Sequence, residues 1–305
     1  MSDSQSLHDL GRIVGKDFHQ ILHNFNTQLI AHEADINALN VFPVPDADTG
    51  TNSLVTVQAG MMGLASAPLV QDSLQELVRT FAQYASANAR GNSGTILAEY
   101  FRGLSLALGD VADVATWRAG LQSAHECATG AVLRPCEGTM LSIASAVAKV
   151  SAPYELSAYL GDITHVAKLA LLKTTQQLAE LRDAQVVDAG ACVLVLFHEA
   201  VSSFYNNHEI NISFVHEGTC IQADTQYEGP ELELTFLLTT SRDVRDSLRD
   251  ALATLGESLT IAGSTPEFKV HIHTDHVDDV ITAVQSLGSV SMITTSSLSE
   301  FVTKQ

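Results

Sequence analysis

Asn40-Val-Phe-Pro-Val-Pro-Asp46-Ala-Asp48-Thr-Gly50-Thr-Asn52 is the stretch on which the reading of this chain turns. Two carboxylates stand two residues apart, after a pair of prolines and before a Thr-Gly-Thr-Asn run. Proline fixes φ and resists helix interiors, so the acids lie on a stiff loop. Thr51 or a neighbour then caps a helix that carries Leu54, Val55 and Met61. An acidic loop joined to a helix start is a two-part site. Its carboxylate oxygens suit hard divalent cations, while free backbone N–H groups and the helix dipole favour an anion. A magnesium-bound polyphosphate needs both parts.

Upstream, Leu10, Val14, Phe18, Ile21, Phe25 and Leu29 recur at three- and four-residue steps, which predicts a helix over about 7–32. Gly11-Arg-Ile-Val-Gly15-Lys16 is not a phosphate loop: too few residues separate its glycines, and Asp17 stands where Ser or Thr is needed. Downstream, helices are expected over about 51–64 and 73–87, then one that carries Ile96, Leu97, Tyr100 and Phe101, one over 114–129, one opened by the stretch 134–141, one over 154–182, and one that continues through Val193, Leu196, Phe197 and Val201. Three further small-residue loops open helices: Ala89-Arg-Gly91-Asn92-Ser93-Gly94-Thr95, Arg134-Pro-Cys136-Glu137-Gly138-Thr139, and Val187-Asp188-Ala-Gly190-Ala191. Glycines there let backbone N–H groups approach a ligand without a Cβ in the way, and Asp188 is a competent N-cap. With the acidic loop, these precede helices two, four, six and eight. In an up-down arrangement those four helix starts fall at one end of the bundle.

After about residue 207 the character changes. A polar linker with one short strand near 212–215 leads into strands over about 231–240, 259–262, 268–274 and 290–294, with helices over 243–255 and 277–287. The order is βαββαβ, a ferredoxin-like split βαβ unit. The chain therefore divides into a mainly α domain, 1–207, and a small α+β domain, 208–305. His271 and His273 are two apart on a strand and share a face. They could hold zinc with one or two further ligands, for which Glu231 and His276 are the candidates.

A formal net charge of −19 argues against nucleic-acid binding, which needs basic surfaces. No apolar run reaches membrane-spanning length, and Met1 to Asp9 has no signal-peptide core, so a cytoplasmic location is expected. Cys127, Cys136, Cys192 and Cys220 have no Cys-x-x-Cys spacing and are expected as reduced thiols.

The string from Asn40 to Asn52 closely resembles the signature of the dihydroxyacetone-kinase L-type domain, particularly as found in the kinase subunit of bacterial fatty acid kinase. The loops at Gly91–Thr95, Pro135–Thr139 and Asp188–Ala191 match that family's nucleotide-side loops in the same order, and Phe268–Thr274 resembles its middle domain. The resemblance implies an eight-helix antiparallel barrel with nucleotide and magnesium at one rim. It implies ATP or ADP as cofactor with two magnesium ions, held by Asp46 and Asp48 with Asn40 as an auxiliary ligand. Thr49, Gly50, Thr51, Asn52, Gly91, Asn92, Ser93, Gly94, Thr139, Asp188 and Gly190 would contact the nucleotide. The implied activity is phosphoryl transfer to a fatty acid presented by a separate carrier protein. A hydroxyl acceptor such as dihydroxyacetone, or a nucleotide-binding regulatory module without kinase activity, stand as alternatives, and a homodimer is compatible.

Four departures qualify the match. Ala47 replaces the family's usual glycine, and Asn40 replaces an upstream aspartate. The cysteine that joins the two histidines in the family's middle domain is missing near Gly229-Pro230-Glu231, and the sequence ends before the family's further C-terminal domain.

Overall fold

The computed structural model describes residues 11–67, 73–151, 155–210, 212, 214 and 229–298. The helical part comprises β1 (Ile13–Val14), α1 (Gly15–Ala38), α2 (Thr49–Ser66), α3 (Leu74–Ala87), α4 (Gly91–Ala107), β2 (Val111–Ala112), α5 (Val114–Ala131), α6 (Met140–Ala148), α7 (Leu156–Gln177), α8 (Ala179–Ala184) and α9 (Ala189–Asn206). The second part follows with β3 (Leu232–Thr239), α10 (Arg245–Leu252), β4 (Glu257–Ser264), β5 (Glu267–His273), α11 (Val277–Val284) and β6 (Ser289–Ser297).

Two helices differ from the periodicity reading. The first begins at Gly15 rather than near Leu7, because Ile13 and Val14 pair with Ala112 and Val111 as a two-stranded ribbon. It also runs on to Ala38, burying Ile36. Residues 7–10 of the expected helix lie outside the described residues. The long helix expected over 154–182 breaks at Leu178, whose backbone is extended, giving α7 and the short α8. Thr174 explains the break: its hydroxyl bonds back to the Leu171 carbonyl and accepts the Asp188 N–H at 3.0 Å. Such back-bonding weakens the helical ladder where the chain must turn toward α9. The strand expected near 212–215 falls mostly outside the described residues, as do Tyr154 and Cys220. Cys127, Cys136 and Cys192 are free thiols.

α9 is apolar on nearly every side and is buried from Ala189 to Ser202, as a helix enclosed by its neighbours must be. Phe197 on α9 meets Phe25 and Phe101 at ring distances of 5.6 and 5.0 Å, and Phe101 meets Phe81 at 4.7 Å, so edge-on aromatics tie α1, α3, α4 and α9 together. No helix among the described residues is long and apolar enough to cross a membrane.

The second domain is a four-stranded antiparallel sheet in the order β4-β5-β3-β6, the split βαβ arrangement expected. Alternation sorts its faces. Leu234, Phe236, Phe268, Val270 and Ile272 pack with Leu248, Leu252, Val280 and Val284 of the helices. Glu233, His271 and His273 occupy the other face, which looks toward the helical domain. The strand edge of β4 is covered by residues following α5. Val132 bridges Thr260, and the Leu133 N–H donates to the Leu259 carbonyl at 3.1 Å.

Candidate functional site: an acid pair walled by both domains

The site is built first from the end of α1 and the residues just past it, which supply the clamps that shape the acidic loop. Asn40 is buried; its Nδ2 donates to the Val44 carbonyl at 2.6 Å, and its Oδ1 accepts from the Thr49 N–H at 3.0 Å and from the Thr49 hydroxyl. Asn37 Oδ1 accepts the Gly50 and Thr51 N–H groups at 2.7 and 3.2 Å, and the Thr51 hydroxyl donates to Glu33 at 2.7 Å. The first amides of α2 are thus satisfied by Asn37 in the last turn of α1 and by Asn40 just past its end, and the helix starts at Thr49 without a side-chain cap from Asp48. Phosphate donors expected at Gly50 and Thr51 are therefore turned inward. Asn40 likewise has its oxygen committed to Thr49, so a metal would have to share it.

Between the acids, Ala47 adopts φ of +55°, the left-handed region that glycine occupies freely. This kink sets Asp46 and Asp48 side by side over one cleft. Burial, then the charge of Asp48 and a hydrogen bond to it, push the Asp46 carboxyl well above the ordinary range. Burial also raises Asp48, opposed by the 2.7 Å hydrogen bond that Asn52 Nδ2 donates to it.

The second loop opens α4. Gly91 has φ of +57°, and a side chain there would run into the Asn52 amide. Arg90, at the N-cap, offers no side-chain cap, so the first-turn amides of Gly91, Asn92 and Ser93 find no capping side chain among the described residues. The Ser93 hydroxyl reaches the Thr49 hydroxyl at 3.4 Å, joining the two loops. Gly94 faces Thr56 of α2. At the starts of α6 and α9, Thr139 and Asp188 act as caps, bonding the Leu141 and Ala191 N–H groups at 3.3 and 2.7 Å. Burial raises the Asp188 carboxyl to about 7. Glu137 accepts from the Ser142 hydroxyl at 2.5 Å and stays away from the cavity.

Two adjoining spaces result. A cavity of about 310 Å³ is lined from the helical side by Thr49, Asn92, Ser93, Arg134, Thr139, Met140, Asp188 and Gly190, so all four helix-start loops reach it. Its remaining wall, Gly256 to Thr260, comes from the second domain. It shares Phe42, Pro43, Thr49, Asn92 and Ser93 with the narrow cleft over the acid pair. Of the residues expected at the nucleotide, Gly50, Thr51 and Gly94 line neither space.

The cleft also holds three residues of the sheet: Glu233, His271 and His273. The histidine pair, read from sequence as a separate zinc site, stands instead in the same cleft as Asp46 and Asp48. The imidazoles lie 5.0 Å apart at 64°, and His271 Nδ1 is 3.0 Å from Glu233 Oε1. Burial, then the neighbouring His271, lowers His273 to about 3. Burial opposes the charge on Glu233, but His271 and the Ser296 hydroxyl at 2.9 Å outweigh it and hold the carboxyl at about 2. Glu231 and His276, the expected extra ligands, do not line the cleft. Glu233 takes that place. Its signal was its position in the alternation of β3, on the face opposite Leu234 and Phe236.

Three carboxylates and no lysine or arginine line this cleft among the described residues. Such clustered acidity suits a divalent cation. Among the described residues no three His, Cys, Asp or Glu side chains are close-set enough to hold a metal by themselves. The donor set fits magnesium, which keeps one or two carboxylates and completes its shell with phosphate oxygens and water. Zinc would ask for a ready tetrahedral set, and the described residues hold no group of three such ligands.

A family model described as the DAK2 domain matches residues 43–203, and one described as the middle domain of FakA-like fatty acid kinase proteins matches residues 230–305. The chain is 28% identical over 307 residues to an uncharacterized protein of Staphylococcus epidermidis, covering 92% of this chain and 54% of that one. It is 26% identical over 305 residues to protein YloV of Bacillus subtilis, again covering 92% and 54%. An uncharacterized protein of Staphylococcus aureus is 27% identical over 307 residues, with 92% and 55% covered. The chain spans about half the length of these curated relatives.

Proposed function

The chain belongs to the DAK2 domain family, and on that premise we propose that it is a phosphotransferase that uses ATP with magnesium. One observation carries the reading: the acid pair and the uncapped start of α4 border a single cleft that shares five lining residues with the 310 Å³ cavity. The base and sugar would occupy the cavity. The polyphosphate would lie across Gly91, Asn92 and Ser93, whose amides and helix dipole favour anions. Magnesium, held by Asp46 and Asp48, would supply charge neutralisation at the phosphate oxygens. The chain's own work is to position the reactants and exclude water, since phosphoryl transfer asks for little covalent chemistry from the protein.

The match of residues 230–305 to a fatty acid kinase middle domain supports a carboxylate acceptor. The carboxylate oxygen would bond to the γ-phosphorus as the bond to ADP breaks, giving an acyl phosphate. A separate fatty-acid carrier protein would present it beside Glu233, His271 and His273.

Calorimetry of ATP with magnesium tests the site. Asp46→Asn and Asp48→Asn should each weaken binding at least tenfold, and unchanged affinity in both would remove the assignment. Transfer from labelled ATP, with fatty acid plus carrier protein against dihydroxyacetone, then decides the acceptor.

A further inference from the structure

Glu99 carries no role in the scheme above, yet among the described residues it is the most completely enclosed carboxylate of the helical domain, with no exposure to solvent. It sits on α4, and its oxygens are fully engaged. Oε1 accepts from Arg102 Nε at 2.8 Å and from the Gly263 N–H at 2.7 Å. Oε2 accepts from Arg102 Nη2 at 2.7 Å and from Arg245 Nη2 at 3.1 Å. Gly263 and Arg245 belong to the second domain. Arg245 in turn grips β4 through the Ile261 carbonyl at 2.7 Å and the Gly263 carbonyl at 2.5 Å, and its guanidinium lies 5.8 Å from the Phe268 ring centre.

Spacing gives this cluster its meaning. Asn92 and Glu99 are seven residues apart on α4, two turns, so they share a face about 10 Å apart. On β4 their partners Thr260 and Gly263 are three residues apart, again about 10 Å. Asn92 Oδ1 accepts from the Thr260 hydroxyl at 3.2 Å, and Thr260 lies directly across from His271 in the sheet. Helix and strand therefore run alongside in register, pinned at both ends. Asn92 and Ser93 border the cleft, and His271 reaches into it. A slip or rotation at the Glu99 end would carry His271 and His273 off the acid pair.

We infer that Glu99 is a positioning residue, a buried latch that holds the second domain in register on α4 so that one cleft has walls from both domains. Buried ion clusters contribute little net stability against an apolar alternative, but breaking one side leaves uncompensated charge, so the cluster specifies a single docking geometry. Its activity readout rests on the phosphotransfer reading; its docking readout does not.

Hydrogen exchange followed by mass spectrometry on the full chain tests the docking. In Glu99→Gln, segments 90–95 and 257–264 should exchange at least tenfold faster while α7 and α9 keep wild-type rates, and turnover should fall at least tenfold. Arg245→Ala, which leaves Glu99 paired with Arg102, should loosen the same two segments and guards against a Glu99 variant that fails to fold. Wild-type exchange at the seam in both variants, acceleration spread evenly over α7 and α9, or a loosened seam with full turnover would each overturn the latch. Absence of phosphotransfer in the unaltered chain would count against the proposed function and leave exchange to judge the latch.

Discussion

Ala47→Gly should make this protein more stable. Ala47 holds φ of +55° between the two aspartates. A left-handed conformation costs a residue with a Cβ about 1–2 kcal/mol. Glycine removes that strain but loses more backbone entropy on folding, about 0.5–1 kcal/mol. The net gain is then about 0–1.5 kcal/mol, centred near 0.75 kcal/mol. For a cooperative unit the size of the helical domain, 1 kcal/mol moves the melting temperature by about 2–4 °C. The assay is thermal and urea denaturation of both proteins without nucleotide, repeated with saturating magnesium and ATP. The loop keeps its shape, so the shift should be alike in both conditions and nucleotide affinity should hold within twofold. Ala47→Val sharpens the test: a β-branched residue at positive φ should lower stability by more than 1 kcal/mol. A glycine variant that melts below the parent, or a valine variant that matches it, would refute the conformation assigned to Ala47 and the side-by-side placement of the acids built on it.

Asn40→Ala should cost about 2–3 kcal/mol in urea denaturation, because it strands the Val44 carbonyl and the Thr49 N–H in a buried loop; a loss under 1 kcal/mol would mean that water replaces the clamp. Asp188→Ala should cost about 1–2 kcal/mol by removing the cap on the Ala191 N–H, read as a lower thermal midpoint. His198 predicts an acid effect. Burial lowers its folded pKa to about 3 from 6.5, so the unfolded chain takes up the proton first. The contribution is fully present above pH 6.5 and is lost as pH falls toward 3, with a slope of at most about 1.4 kcal/mol per pH unit. His198→Gln should flatten that fall; an unchanged profile would assign acid sensitivity to other groups.

Much of this molecule was legible from local pattern. The three- and four-residue spacing of Phe18, Ile21, Phe25 and Leu29 set out α1, and the switch to alternation after Glu231 set out the sheet domain. Loops such as Gly91-Asn-Ser-Gly94 and Asp188-Ala-Gly190 marked helix starts because capping and positive-φ chemistry is written within a few residues. That such loops precede alternate helices was enough to gather them at one pole. The break at Leu178 escaped, since Thr174 breaks the ladder through a partner at Asp188, beyond any helical window.

What only tertiary structure decided were contacts between distant segments. Asn37 and Asn40 close the amides of α2, which moves the open helix start to α4. Glu233 and the histidine pair, separated from the acids by most of the chain, reach the same cleft because β4 docks in register on α4. Periodicity encodes which face of an element is apolar; it carries no record of which polar side chain on one element will satisfy an amide or a carboxylate on another. That pairing is chosen when the two domains pack, by the demand that each buried donor and acceptor find a partner.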